Sequence, residues 1–83
     1  MYEVALDPQA ERERDGLQPE ACAAFMELLA MLEVAPWGGK SFREDRPKGN
    51  MLTQPFGDGL GMATYFVLEE RRLVYIVRIA WTG

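Results

Sequence analysis

Positively charged side chains are the groups in this sequence best suited to chemistry, because the chain contains no histidine. Arg78 lies within an apolar run near the C-terminus, and the stretch 36–50 supplies four more cations: Lys40, Arg43, Arg46 and Lys48. Lysine and arginine bind phosphate and carboxylate groups and stabilise negative charge that develops during a reaction. The candidate catalytic cations are therefore Arg46, Lys48 and Arg78. The alternative for the charges in 36–50 is that they only face solvent.

Glu44 and Asp45 stand among these cations and could act as a general base. Arg78 admits three interpretations: a cation that binds phosphate, a charge at an exposed sheet position, or the partner of a carboxylate. A cation between Val77 and Ile79 needs water or an acceptor in any case. We expect Arg78 to mark an exposed or partner-facing surface of the sheet.

Aromatic residues of the C-terminal half offer a second kind of binding. Tyr65 and Tyr75 could stack on a nucleobase, although aromatic side chains in a small sheet usually belong to the core. Tyr75 and Trp81 could instead anchor a protein interface. The candidate binding residues are Lys40, Arg43, Arg46, Tyr75, Arg78 and Trp81.

Metal and cofactor chemistry finds no support in the sequence. Cys22 is the only cysteine, so no internal disulfide is expected and a reducing cytoplasm is the natural compartment. Its alanine-rich surroundings indicate a buried structural thiol. No ligand cluster predicts a metal site, and the "GDGLG" segment at 57–61 reads as a turn and not as a phosphate loop. We expect no metal and no cofactor.

The composition indicates one domain over residues 1–83 with a net charge of −4, which argues mildly against a general nucleic-acid binder. The charge is uneven. Residues 1–35 hold eight carboxylates and two arginines, whereas 36–50 holds four cations and two carboxylates. The opening residues contain no apolar run typical of a signal peptide, and no stretch approaches the length of a membrane helix, so no membrane association is expected.

The N-terminal half predicts a strand followed by two helices. Residues 2–6 alternate apolar and other side chains as a half-buried strand does. Asp7-Pro8 then forms an N-cap with proline at the first helical position, and Gly16 can close the short helix "PQAERERD". A longer helix begins near Pro19 and ends before Pro36, since the residue before a proline resists the α region. The stretch 36–50 is predicted to be a long loop.

The C-terminal half predicts three strands, "NMLTQPF", "LGMATYFVLEE" and "RLVYIVRIAW", joined by short connections into an antiparallel meander. Strict alternation puts the last strand's residues on two faces. One face would hold Leu73, Tyr75, Val77, Ile79 and Trp81, and the other Val74, Ile76, Arg78 and Ala80. The expected fold is α+β, two helices against a small antiparallel sheet, with one sheet face either partly open or covered by a partner.

Three segments in this order resemble the RelE/ParE toxin superfamily of bacterial type II toxin–antitoxin modules. They are the opening "YEVALDPQAERERDGLQPEACAAF", the helix end "LAMLEVAPWGGK" and the meander "GDGLGMATYFVLEERRLVYIVRIAW". The resemblance covers about residues 2–81 and rests on order and spacing. It implies a toxin held by a cognate antitoxin, acting on ribosome-bound mRNA or on DNA gyrase.

The nuclease branch of that superfamily commonly carries a glycine followed by basic residues at the end of the last strand, then a tyrosine in a following segment. Ala80, Trp81 and Thr82 stand where that glycine and the two basic residues would fall, and the sequence ends at Gly83. Arg78 lies about four positions ahead of the expected arginine. The resemblance therefore implies a toxin that is not a standard ribosome-dependent mRNA interferase.

Two other functions stay open. The chain could be a catalytically inactive interaction module of the same fold, binding protein or forming a homodimer through the last strand. It could also be an RNA-binding module that uses the basic stretch and the sheet aromatics, with affinity that falls steeply as salt rises.

Overall fold

A computed structural model describes residues 1–41 and 50–83. Its strands are β1 (Glu3–Leu6), β2 (Lys40–Ser41), β3 (Met51–Phe56), β4 (Gly61–Leu68) and β5 (Leu73–Trp81). The helices α1 (Pro8–Asp15) and α2 (Pro19–Val34) lie between β1 and β2, and 3₁₀ turns span Pro36–Gly38 and Glu69–Arg71. No helix in the described ranges is long and apolar enough to cross a membrane.

The two helices begin and end where the sequence predicts. The Asp7 carboxylate caps α1 by accepting a hydrogen bond from the Gln9 N–H at 3.0 Å, and the N–H of Gly16 closes the helix onto the Arg12 carbonyl. α2 starts at Pro19 without a side-chain cap and stops two residues before Pro36. The prediction of two helices over these residues is confirmed.

The sheet has five strands in the order β1-β5-β4-β3-β2. The α+β class and the antiparallel meander of β3, β4 and β5 are confirmed. The neighbour of β1, which the sequence did not specify, is β5, and the two strands pair in parallel from Glu3↔Leu73 to Leu6↔Ile76, so the sheet is mixed. Every other pairing is antiparallel. β1 is an edge strand of the sheet and pairs with β5, the last strand of the meander.

The predicted loop 36–50 is partly regular. Pro36–Gly38 forms a 3₁₀ turn, and Lys40–Ser41 pairs with β3 as an edge strand. Gly39 permits this close approach, since a Cβ there would lie 2.5 Å from the Tyr65 hydroxyl and 2.6 Å from the Thr53 carbonyl. The loop prediction is therefore corrected at its N-terminal end.

The core lies between α2 and one face of the sheet. From α2 it takes Ala21, Phe25, Leu28 and Leu32, and from the sheet Leu52, Phe56, Ala63, Tyr65, Val67, Val74, Ile76 and Ile79. Tyr65 is fully buried, and its hydroxyl donates to the Pro36 carbonyl at 2.8 Å. Burial raises the pKa of Tyr65 to about 12. Tyr65 is thus a core residue and cannot stack on a nucleobase.

A β-bulge in the last strand changes the predicted faces. Thr64 pairs with Arg78 while Tyr65 pairs with Ile76, so Val77 has no opposite residue. The extra residue reverses the alternation from that point, because side-chain direction has a period of two. Ile79 is therefore buried with Ile76, and Arg78 points to the opposite face. The prediction that Arg78 shares a face with Val74 and Ile76 is wrong.

Candidate functional site

The outer edge of β5 beyond the bulge is closed by a side chain and not by a strand. β1 pairs with β5 only as far as Ile76. Beyond that point the Glu13 carboxylate of α1 takes over: its Oε1 accepts the backbone N–H of Ile79 at 2.7 Å, and its Oε2 accepts Nε of Arg78 at 3.2 Å. Glu13 thus satisfies a strand-edge donor and holds the candidate cation at once.

Glu13 is largely enclosed, with 19% of its side chain exposed. Desolvation pushes the pKa of Glu13 upward, but hydrogen bonds from the Ile79 N–H, Gln9 and Arg78 together outweigh it and hold the pKa below its usual value. The carboxylate is therefore ionised at neutral pH. Nothing in the sequence singles Glu13 out, since it lies 65 positions from Arg78 on a polar helix.

Arg78 is paired and still accessible. Its side chain is 67% exposed, and its contact with Glu13 uses Nε, while its terminal nitrogens make no hydrogen bond to another described residue. A guanidinium held at Nε keeps both terminal nitrogens directed outward, which is the geometry that a carboxylate or phosphate accepts. Arg78 can therefore bind an anion without leaving Glu13.

The sheet face that turns away from α2 is mostly apolar, with one polar row across it. Met62, Phe66 and Tyr75 supply apolar surface on this open face. The row runs through four paired positions on four strands: Lys40, Thr53, Thr64 and Arg78. Three strand spacings separate the two cations, so their backbones lie about 14 Å apart. The open face thus presents a cation at each end of a pair of threonines.

Tyr75 is tied to the first helix cap. Its hydroxyl donates to Asp7 Oδ1 at 2.9 Å, and this hydrogen bond is the main reason that the pKa of Tyr75 is raised. Asp7 uses its other oxygen to cap α1. The Tyr75 hydroxyl therefore joins β5 to the start of α1, and only its half-buried ring is available to a ligand.

Trp81 lies on the core side of the sheet. Its ring contacts Phe56 at a centroid distance of 5.7 Å, and a Cβ on Gly57 would come within 2.6 Å of it. The indole Nε1 is buried and has no hydrogen-bond partner among residues 1–41 and 50–83. Trp81 is thus a boundary residue of the core, with only part of its ring exposed to a partner.

The remaining candidates fall in two groups. Lys40 is exposed on β2 at one end of the polar row. Arg43, Arg46 and Lys48, together with Glu44 and Asp45, lie outside the described residues.

Within the described ranges, no three His, Cys, Asp or Glu side chains are arranged to hold a metal ion. Cys22 is half-buried, where full burial was expected, and its thiol contacts the Leu17 carbonyl at 3.6 Å.

A second polar cluster, missed in the sequence, surrounds Glu69 at the β4–β5 connection. Its Oε1 accepts hydrogen bonds from the Tyr2 hydroxyl at 2.6 Å and from Trp37 Nε1 at 2.8 Å, and its Oε2 accepts from Arg72 Nη1 at 2.9 Å. The guanidinium of Arg72 also lies over the Tyr2 ring, 4.2 Å from its centroid. The spacing of Glu69 and Arg72 was the only local signal of this cluster.

The Glu69 cluster borders an open cavity of about 490 Å³, lined in part by Trp37, Asn50 and Val67. The hydrogen bond from Tyr2 is the main reason that the pKa of Glu69 is lowered, and the same bond raises the pKa of Tyr2. Neither group is thereby poised to exchange protons near neutral pH. The cluster joins the N-terminus, the 3₁₀ turn at Pro36 and the last hairpin.

Comparison with known proteins gives structural matches only. No protein-family model matches the chain, and no curated protein matches its sequence. Among solved structures, the isolated Escherichia coli RelE toxin matches with a TM-score of 0.81 at 14% identity, over 100% of this chain and 86% of that one. The RelBE2 toxin–antitoxin complex of Mycobacterium tuberculosis gives 0.80 at 24% identity, over 96% and 90%.

An archaeal RelE–RelB complex from Pyrococcus horikoshii also matches, with a TM-score of 0.68 at 18% identity over 99% of this chain and 96% of that one. The matched chains are thus spanned nearly end to end. Such low identity shows fold and not activity. The resemblance inferred from the sequence is confirmed at that level: this chain has the α+β fold of the RelE toxins.

Proposed function

We propose that this protein is the toxin of a toxin–antitoxin module and that an antitoxin protein neutralises it. The observation that carries the proposal is the match of almost the whole chain to RelE, both alone and in complexes with antitoxin. A bacterial cytoplasm is the compartment in which such a toxin would act. The apolar open face of the sheet gives an antitoxin segment a surface to cover.

We further propose that this toxin differs in its chemistry from the nuclease branch, so that it is not a standard ribosome-dependent mRNA interferase. Arg78, the one cation of β5, is ion-paired with Glu13 through Nε and lies about four positions ahead of the arginine that the resemblance leads one to expect. Trp81, at a position where the resemblance leads one to expect a basic residue, packs against Phe56. DNA gyrase, or a ribosomal step other than mRNA cleavage, is then the target to examine.

The test has two stages. Induced expression in bacteria should arrest growth. We expect an adjacent reading frame to encode a small antitoxin protein, and co-expression of that protein should relieve the arrest. A well-expressed, folded protein with no effect on growth would contradict the toxin proposal. Primer extension in a purified translation system should then find the message intact. Codon-dependent cleavage that is lost in Arg78→Ala or Arg46→Ala would instead establish a working interferase. A supercoiling assay with purified DNA gyrase tests whether gyrase is the target.

A catalytically inactive binding module is the second candidate, favoured by the structural use of three candidate site residues. Arg78 is ion-paired, the Tyr75 hydroxyl is bound to Asp7, and Trp81 is packed at the core. This candidate predicts unchanged growth together with tight binding of the neighbouring small protein, or a homodimer that resists dilution.

An RNA-binding module would instead rely on Lys40 and Arg78, and its affinity for RNA should fall in Lys40→Ala and at high salt.

A further inference from the structure

The helix α2 carries apolar residues on both of its sides. Its inner side is buried in the core by Ala21, Phe25, Leu28 and Leu32. Its outer side carries an exposed line of apolar residues at helical spacing, here named the outer α2 stripe: Ala23, Met26, Ala30 and Val34. The exposed carboxylates Glu20 and Glu27 lie on the same helix. An exposed apolar stripe with a polar border is typical of a surface that binds another protein.

The outer α2 stripe is shaped to receive another helix. Met26 is 63% exposed and Val34 67%, and within the described residues only Met1 among the large hydrophobic side chains is more exposed. Ala23 and Ala30 are small, so they let a second backbone approach between the larger side chains. The spacing of three and four residues matches the anchor positions of helix-in-groove recognition.

The charges along α2 indicate which charge a partner surface needs in order to be complementary. Glu20, Glu27 and Glu33 are its only ionisable side chains apart from Cys22, and the helix has no lysine or arginine. None of the three carboxylates forms an ion pair with another described residue. In a two-fold dimer built on α2, like charges would face each other, which disfavours a second copy. A partner with cations beside its apolar residues would be complementary.

We propose that the outer α2 stripe docks an amphipathic helix of a partner protein, one whose apolar residues are flanked by lysine and arginine. The stripe spans Ala23 to Val34, about 16 Å along the axis, which corresponds to about three turns of the partner helix. This surface lies on the opposite side of the sheet from Arg78 and the polar row. The inference does not depend on toxin activity, so it stands or falls separately from the proposed function.

The test uses two synthetic helical peptides with the same alanine and leucine stripe, one flanked by lysine and the other by glutamate. Their binding to the full chain is measured by calorimetry at low and high salt. The lysine peptide should bind about tenfold tighter or more, with a preference that shrinks as salt rises. Met26→Lys should weaken that binding by about tenfold or more.

Met62→Lys is the matched control, because Met62 is an exposed methionine (43%) on the open face of the sheet. It should leave peptide binding unchanged, and circular dichroism should show both variants folded. Failure to bind the lysine peptide, equal binding of the two peptides, or an equal loss in Met62→Lys overturns the proposal. A homodimer of the chain that Met26→Lys dissociates also overturns it, because the stripe would then belong to a second copy.

Discussion

Glu13 of α1 accepts a 2.7 Å hydrogen bond at Oε1 from the backbone N–H of Ile79, and it thereby occupies the edge of β5 beyond the point where its pairing with β1 ends. An unsatisfied donor at that edge would be costly within the fold and a template for another strand. Glu13 also holds Arg78, so one carboxylate fixes both the strand edge and the candidate cation.

Replacing Glu13 by alanine should therefore destabilise the fold by about 1–3 kcal/mol, the cost of leaving a partly buried backbone donor without its acceptor. Urea denaturation followed by circular dichroism measures this loss. Glu11→Ala is the matched control: Glu11 lies exposed in the first turn of the same helix, and its change should stay within about 0.5 kcal/mol. Equal effects of the two substitutions would show that Glu13 does not stabilise the β5 edge.

Acid should weaken the fold partly through Glu13. Its pKa is lower in the folded chain than the usual 4.5, so the unfolded chain binds the proton more readily. The resulting stabilisation is fully present above the unfolded pKa and is lost as pH falls through the folded pKa.

Glu13→Gln should consequently flatten the dependence of the urea midpoint on pH over the acid range, although Glu69, whose pKa is also lowered, keeps part of the slope. An unchanged slope in Glu13→Gln would mean that Glu13 is not held ionised by its contacts.

Local sequence signals predicted the helices well. Asp7, Pro8 and Gly16 act on their immediate neighbours, so the bounds of α1 could be read directly from the chain. Pro36 marked the end of α2 for the same reason. Such signals need no knowledge of the tertiary structure.

Features set by distant contacts could not be predicted in the same way. β5 is apolar on both faces, so alternation gave no sign that Val77 is an extra residue and that Arg78 faces away from the core. The partnership of Glu13 with Ile79 depends on where β1 ends beside β5, a relation between residues 66 positions apart. The RelE-like fold was predictable from the order of elements, whereas the site depended on these pairings.

Tyr65 should contribute stability through its hydroxyl. Tyr65→Phe removes the hydrogen bond to the Pro36 carbonyl and leaves a buried acceptor unpaired, so we expect a loss of about 1–2 kcal/mol in the free energy of unfolding. Tyr75→Phe also removes one tyrosine oxygen, together with its hydrogen bond to Asp7, and serves as the comparison in which the acceptor is only half-buried.

Titration supplies an independent check on the same residue. With its pKa near 12, Tyr65 should keep its proton in the folded chain at a pH where an unfolded tyrosine, with its pKa of 10.0, has lost it. The fold should therefore lose stability as pH rises above 10.0. The pKa values of Tyr2 and Tyr75 are raised as well, so the diagnostic signal in ultraviolet absorbance is a tyrosine that titrates near 12 and is absent in Tyr65→Phe. Complete titration near the ordinary value would contradict the burial of Tyr65.

The turn between β3 and β4 allows the packing of Trp81 to be tested on its own. Gly57 and Gly59 both have positive φ, 61° and 86°, so alanine at either position should cost about 1 kcal/mol or more in backbone strain. A Cβ on Gly57 would also lie 2.6 Å from the Trp81 ring, whereas a Cβ on Gly59 meets open space.

Gly57→Ala should therefore lower the free energy of unfolding by a further 1–3 kcal/mol or so relative to Gly59→Ala, the range for overpacking a core, and should shift the fluorescence of Trp81 in a chain where Trp37 is replaced by phenylalanine. Equal destabilisation by the two alanines, with no change in fluorescence, would mean that the indole does not pack against Gly57. Such a result would free Trp81 to serve as an interface residue, because a ring that yields to one added methyl group is not held by the core.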